Sequence, residues 1–135
     1  MPFAGATNGK SGFALSMDHD LMRTQASGDL HGDPAVHPTW PAQARDAYLA
    51  GFQRACTTNR APLFIGNHFE QWNGGSDVDA VEGTVRAIAG RPDVRPVPFR
   101  QLVAWLEAQD PAVLAKLRTL SPGVPPPGGW GAFLG

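Results

Sequence analysis

Apolar residues recur at helical spacing in four places along the chain. Ala44, Tyr48, Gly51, Phe52 and Ala55 share one face of a segment that opens at Pro41, and they predict a helix from about Pro41 to Thr57. Val78, Val81, Val85 and Ile88 line a second helix that follows the Gly74-Gly75 turn and ends near Gly90. Ser76, with Asp79 three residues on, resembles a capping box for its start. Phe99, Leu102, Val103 and Leu106 mark a third helix. Asp110-Pro111, an N-cap residue followed by proline at the first helical position, opens a fourth through Val113, Leu114 and Leu117.

Two short apolar runs lie between these helices. Leu63 to Ile65 follows Pro62 and runs into Gly66, which suits a strand with a sharp exit. Val94 to Val97 reads as a second strand, although Pro96 removes a ladder donor there. The order from Pro41 is therefore helix, strand, helix, strand, helix, helix. Alternation of this kind predicts βαβ units, a parallel sheet and an α/β fold. Two or three parallel strands make a poor sheet alone, so the segment reads as the closing part of a larger structure or as one that needs a partner.

The ends are less regular. Residues 1–16 read as loop, broken by Gly5, Gly9 and Gly12, with a short strand over Ser11 to Met17. The stretch from Ser27 to Trp40 is a loop rich in glycine and proline. From Ser121 the chain carries four prolines and several glycines and is expected to be extended or disordered. Residues 1–41 thus form a loop-rich N-terminal segment, 42–120 the folded part, and 121–135 a Pro/Gly-rich tail.

The chain's 135 residues suit one domain or part of a larger one. Its formal net charge is −1 with no basic block, which leaves nucleic-acid binding and anionic-membrane binding without electrostatic support. A single cysteine, Cys56, excludes an internal disulfide framework and a zinc site built from several cysteines. Its neighbours suggest a buried helix position. No apolar run of signal-peptide or membrane-span type is found, so neither export nor membrane insertion is expected from these residues.

His68 lies just past the expected strand 63–65, at the strand end where parallel α/β proteins place their chemistry. A histidine there can donate or accept a proton near neutral pH. Asn67 and Glu70 read equally as groups that orient it or bind substrate and as polar caps of the loop, and Trp72 as a residue that lines a groove and stacks on a sugar ring. Trp40 reads as a packing residue, and Trp105 as a core or helix–helix contact. His19 lies between Asp18 and Asp20, while His31 and His37 flank Asp33. Their spacing matches no strong metal pattern, and they read as solvated loop residues.

The stretch Pro62-Leu-Phe-Ile-Gly-Asn-His-Phe-Glu-Gln-Trp-Asn-Gly-Gly75, followed by Asp93-Val-Arg-Pro-Val-Pro-Phe-Arg-Gln-Leu-Val-Ala-Trp-Leu106, resembles the C-terminal part of polysaccharide deacetylases (carbohydrate esterase family 4, the NodB-homology domain). The resemblance covers roughly residues 42–118, and Met17-Asp-His-Asp20 resembles the motif lying upstream of the late histidine. It implies the C-terminal fragment of a distorted (β/α) barrel with alternating helices and parallel strands. It also implies a hydrolase that removes N-acetyl groups from glycans with a zinc-type divalent metal, usually outside the cytoplasm.

On that resemblance His68 falls at the general acid that protonates the leaving amine. Asp18 or Asp20 corresponds to the acidic residue that tunes it. Asn67 and Trp72 are the candidate substrate contacts from the residues themselves. The departures matter as much. No paired aspartates follow an early strand, and none of the four histidines has a partner at i and i+4. Gly66 stands where many members have leucine, and Asp77 where related sequences have an aromatic residue. The metal-binding and general-base motifs are missing, so no metal is expected on this chain alone, and inactivity alone is the expectation. A non-catalytic carbohydrate-binding or interaction module is the alternative. Apolar surface left uncovered by an incomplete fold would favour self-association.

Overall fold

The computed structural model describes residues 16–135. Within them the chain forms six α-helices: α1 (Asp18–Ala26), α2 (Trp40–Thr57), α3 (Ser76–Ile88), α4 (Phe99–Glu107), α5 (Pro111–Leu117) and α6 (Gly129–Leu134). The loop expected over residues 1–16 and the strand expected from Ser11 fall almost entirely outside this range.

The core is built by α1, α2 and α3. Leu21, Ala44, Ala47, Tyr48 and Ala80 form one buried cluster, with Ile65 and Val81 packed against it. The α2–α3 pair makes the most extensive helix–helix contact. Its close approach follows from the small residues on the facing sides, Ala44 and Ala47 of α2 and Ala80 of α3. Helix α3 is turned against the pattern of its sequence. Its buried face is Ser76, Asp77, Ala80 and Thr84. Val81, Val85 and Ile88 of its apolar stripe border an open apolar groove of about 700 Å³, lined also by Phe64, Phe99 and Trp105 among others, and Val81 touches the buried cluster as well.

α4, α5 and α6 contain no buried residue. Phe99, Val103 and Trp105 of α4 are largely exposed, and Phe99 stacks on Phe64 with ring centroids 5.2 Å apart. The expected cap of α5 is present: the Asp110 carboxylate accepts from the Ala112 N–H at 2.7 Å. The expected capping box at Ser76 is not. Gly75 occupies the cap position with φ +81°, and the Ser76 hydroxyl donates to the Asn73 carbonyl at 2.6 Å. Asn73, Gly74 and Gly75 all take positive φ, which turns the chain sharply into α3.

The α/β reading is overturned. Among the described residues there is no sheet and no barrel; the only pairing is an isolated parallel bridge between Met17 and Gly66. Leu63 to Ile65 and Val94 to Val97 have no regular secondary structure. A strand is stable only with a neighbour to take its N–H and C=O groups. The 94–98 segment has prolines at 96 and 98 and so lacks two of its donors. The 63–65 segment meets a partner backbone only where Gly66 reaches Met17. Two further expectations differ. The N-terminal segment contains α1, and the tail after Ser121 contains α6.

Burial separates the helices energetically. Leu21 is fully buried, and Leu21→Ala should cost roughly 2–5 kcal/mol of stability. Val103, about half exposed on α4, should tolerate alanine within about 1 kcal/mol. Urea unfolding of the two variants, followed by far-ultraviolet circular dichroism, tests the division.

Candidate active site

The Met17–Gly66 bridge sets the geometry of the site. Gly66 N–H donates to the Ser16 carbonyl at 2.8 Å, and Asp18 N–H donates to the Gly66 carbonyl at 3.2 Å. The Ser16 hydroxyl also bonds the Phe64 carbonyl. The start of α1 and the 66–68 loop are thereby held side by side, running the same way. Met17 is extended and caps α1, so Asp18 is the first helical residue. A carboxylate in that turn complements the helix dipole.

Asp18 is only 1% exposed, and its two oxygens accept three hydrogen bonds. Oδ1 accepts from the His19 N–H at 2.7 Å. Oδ2 accepts from the His68 N–H at 2.5 Å. Oδ1 also meets His68 Nδ1 at 2.7 Å. A carboxylate can only accept, so Nδ1 carries the hydrogen and Nε2 is the nitrogen available to a ligand. The His68 side chain is 54% exposed. The pair is therefore buried at its carboxylate end and open at its imidazole end.

Trp72 begins the turn before α3 and stands beside this pair. Its ring centroid lies 5.5 Å from that of His68 and 6.0 Å from that of His19. Of the residues singled out from the sequence, the structure brings Asp18, His68 and Trp72 together. Asp20 lies two residues on along α1, about 200° around the helix from Asp18, and it is Asp18 that meets His68. Asn67 is engaged with backbone: its Oδ1 accepts from the Phe69 N–H at 2.6 Å, and its Nδ2 donates to the Asp77 carbonyl at 3.4 Å. It shapes the loop that carries His68, which itself lets Phe69 take a φ of +59°.

Other candidates disperse. His31 and His37 lie together, His37 Nε2 meeting the His31 carbonyl. Trp40 is buried and packs on His37 at 5.1 Å. Trp105 is largely exposed on α4 rather than core, and Cys56 is half-buried at the groove. Among the described residues no three His, Cys, Asp or Glu side chains converge as a metal site would need. The donors nearest the site, Asp18 and His68, are bonded to each other. Among the described residues no third such side chain joins them to complete the ligand set of a divalent metal. Among the same residues, no helix is long and apolar enough to cross a membrane.

Two residues of this region escaped the sequence reading. His19 read as a solvated loop residue, yet α1 places its ring beside Trp72. Asp77 read only as a departure from the aromatic residue of related sequences, yet it is 3% exposed and neither carboxyl oxygen has a hydrogen-bond partner. The sequence signal was available in retrospect. Asp77, Ala80 and Thr84 share a face at i, i+3 and i+7, and the valine stripe outweighed it.

Comparison with known proteins finds no family model that matches the chain, no similar curated protein and no similar solved structure.

Burial, and then the charge of Asp18, push the Asp77 carboxyl up from 3.8 to about 7. The folded chain thus keeps a proton that the unfolded chain releases from about pH 4. Stability should fall as pH rises from about 4 to about 7, and stay lower above that. The full rise is equivalent to roughly 4 kcal/mol as a ceiling. Asp77→Asn cannot ionise and should escape the loss. Its stability advantage over the unsubstituted chain should grow by roughly 2–3 kcal/mol between pH 5 and pH 8 in denaturant unfolding. An advantage that does not change with pH would show that Asp77 ionises as an ordinary carboxylate.

Proposed function

We propose that the chain carries the proton-donating end of a hydrolytic site for N-acetylated glycans, akin to the C-terminal part of a polysaccharide deacetylase, and that it is inactive alone. The observation that carries this reading is the Asp18–His68 pair. A buried carboxylate holds Nδ1–H at 2.7 Å and leaves Nε2 at an open surface beside an indole. In such a pair the carboxylate fixes the ring and its tautomer and compensates the imidazolium charge, and Nε2–H protonates a leaving amine. Trp72 supplies an apolar face of the kind that stacks on a sugar ring.

The resemblance over residues 62–75 and 93–106 supports the same assignment independently of the contacts. The inactivity follows from what the motifs lack. Without an activated water, a general acid has no tetrahedral intermediate to resolve. Loss of that activation removes several kcal/mol of transition-state stabilisation, roughly a thousandfold or more in rate. The apolar groove beside α3 is uncovered surface of the kind that favours self-association, which we include in the proposal.

One observation favours the alternative of a non-catalytic carbohydrate-binding module. His19 and His68 flank the same indole, which is the arrangement of a binding face whether or not a proton moves.

Titration of the chain with N-acetylated chito-oligosaccharide, followed by nuclear magnetic resonance, should shift the His68 ring and Trp72 indole signals. Acetate release, with zinc or cobalt added, should stay at background. Release that His68→Ala abolishes would overturn the inactivity. Failure of both signals to respond to any N-acetylated glycan would overturn the glycan reading. Binding lost in Trp72→Ala but kept in His68→Ala would favour the binding module.

A further inference from the structure

The Asp18–His68 pair has a second acid behind it. Asp18 opens α1 and Asp77 is the second residue of α3. Each stands one helical turn before a residue of the same buried cluster, Leu21 and Ala80 respectively. Tyr48, also of that cluster, comes in from α2 and is fully buried with no partner for its hydroxyl. The 66–68 loop bridges the two helix starts: His68 bonds the Asp18 carboxylate, and Asn67 bonds the Asp77 carbonyl at 3.4 Å. Two acids and a phenol thus gather at one end of the three-helix core, beneath the loop that carries His68.

The groups facing Asp77 can be taken element by element. From α1 comes Asp18, and from α2 the Tyr48 hydroxyl. From the loop, neutral Asn67 bonds the Asp77 backbone carbonyl, and His68, the one group there that can be positive, bonds Asp18. Neither Asp77 oxygen receives a hydrogen bond. Its charged form has no protein donor to stabilise it. Tyr48 is correspondingly pushed up, by burial first and then by the charges of Asp77 and Asp18, so it stays a neutral phenol.

We propose that Asp77 is a positioning residue of this site, acting on His68 through the buried end of the pair and setting how firmly the imidazole keeps the proton it would donate. An uncharged Asp77 leaves Asp18 alone to balance the imidazolium. An ionised Asp77 adds a second negative charge on the same side, and favours a protonated ring. Burial and the Asp18 charge push the Asp77 carboxyl up to about 7, so the charge behind the pair changes near neutral pH. The proposal deepens the acid–base reading of His68, yet its measurement does not depend on turnover.

The test is the pH titration of the His68 ring signal in the full chain, in unsubstituted protein, Asp77→Asn and Asp79→Asn. Asp79 lies on the exposed side of the same first turn and controls for a general helix-terminus charge. In Asp77→Asn the His68 ring should bind its proton roughly three- to tenfold more weakly. His31 and His37 should be unmoved, and Asp79→Asn should resemble the unsubstituted chain. An equal effect of both substitutions, or none at His68 in Asp77→Asn, overturns the proposal. Should Asp77→Asn fail to fold, the Asp77 side-chain carboxyl signal of the unsubstituted chain decides. A midpoint near neutral pH, with a matching inflection at His68, supports the coupling, and a midpoint near 4 without one overturns it. Loss of glycan response with the coupling intact would sink the function alone, and the reverse outcome the coupling alone.

Discussion

The carboxylate of Asp18 is the interaction on which the rest of the structure turns. It is almost fully buried, yet it accepts two backbone N–H groups and one imidazole. A charge so placed is tolerated only because every bond it makes is good. Those bonds join the start of α1 to the loop after Gly66. They fix the direction in which α1 enters the core and the orientation of His68 at the surface. One group therefore serves packing and candidate chemistry together, and the two cannot be changed separately.

Helices α2 to α5 were legible in the sequence because each carried its own signal, whereas α1 and α6 are short, lie in loop-like sequence and were missed. The proline near the start of α2, the valine period of α3 and the Asp110-Pro111 start of α5 are local features, and the elements appear within a residue or two of the expected places. The strands were not, because a strand is not a local object. Leu63 to Ile65 has the right composition, but no sequence pattern states that the neighbouring backbone will reach it at Gly66 alone. The right face of α3 was missed for a related reason. Apolar periodicity marks the side that prefers to leave water, whereas the close α2–α3 packing selects small side chains and takes Asp77 inside with them.

The site was half legible. The family resemblance singled out His68, left Asp18 and Asp20 open, and included Trp72; the fold then brought Asp18 rather than Asp20 to the ring. Spacing alone could not choose between two aspartates two residues apart. Helix geometry could, once the start of α1 was fixed at Asp18. Asn67 shows the opposite case. A polar residue beside a candidate histidine looks like a ligand contact, and its side chain is instead committed to shaping the turn.

The partners of the pair are fifty residues apart in the chain. Closing a loop of that length carries an entropic cost that no local contact repays. Most of the intervening chain is α2 and its approaches, and α1 and α2 are each packed on α3, which lies beyond residue 68. The pair therefore closes a circuit that takes in the whole of α2, and the start of α1 is tied to a part of the chain that follows it by two helices. In a chain made from its N-terminus, that tie cannot exist until residue 68 has been added.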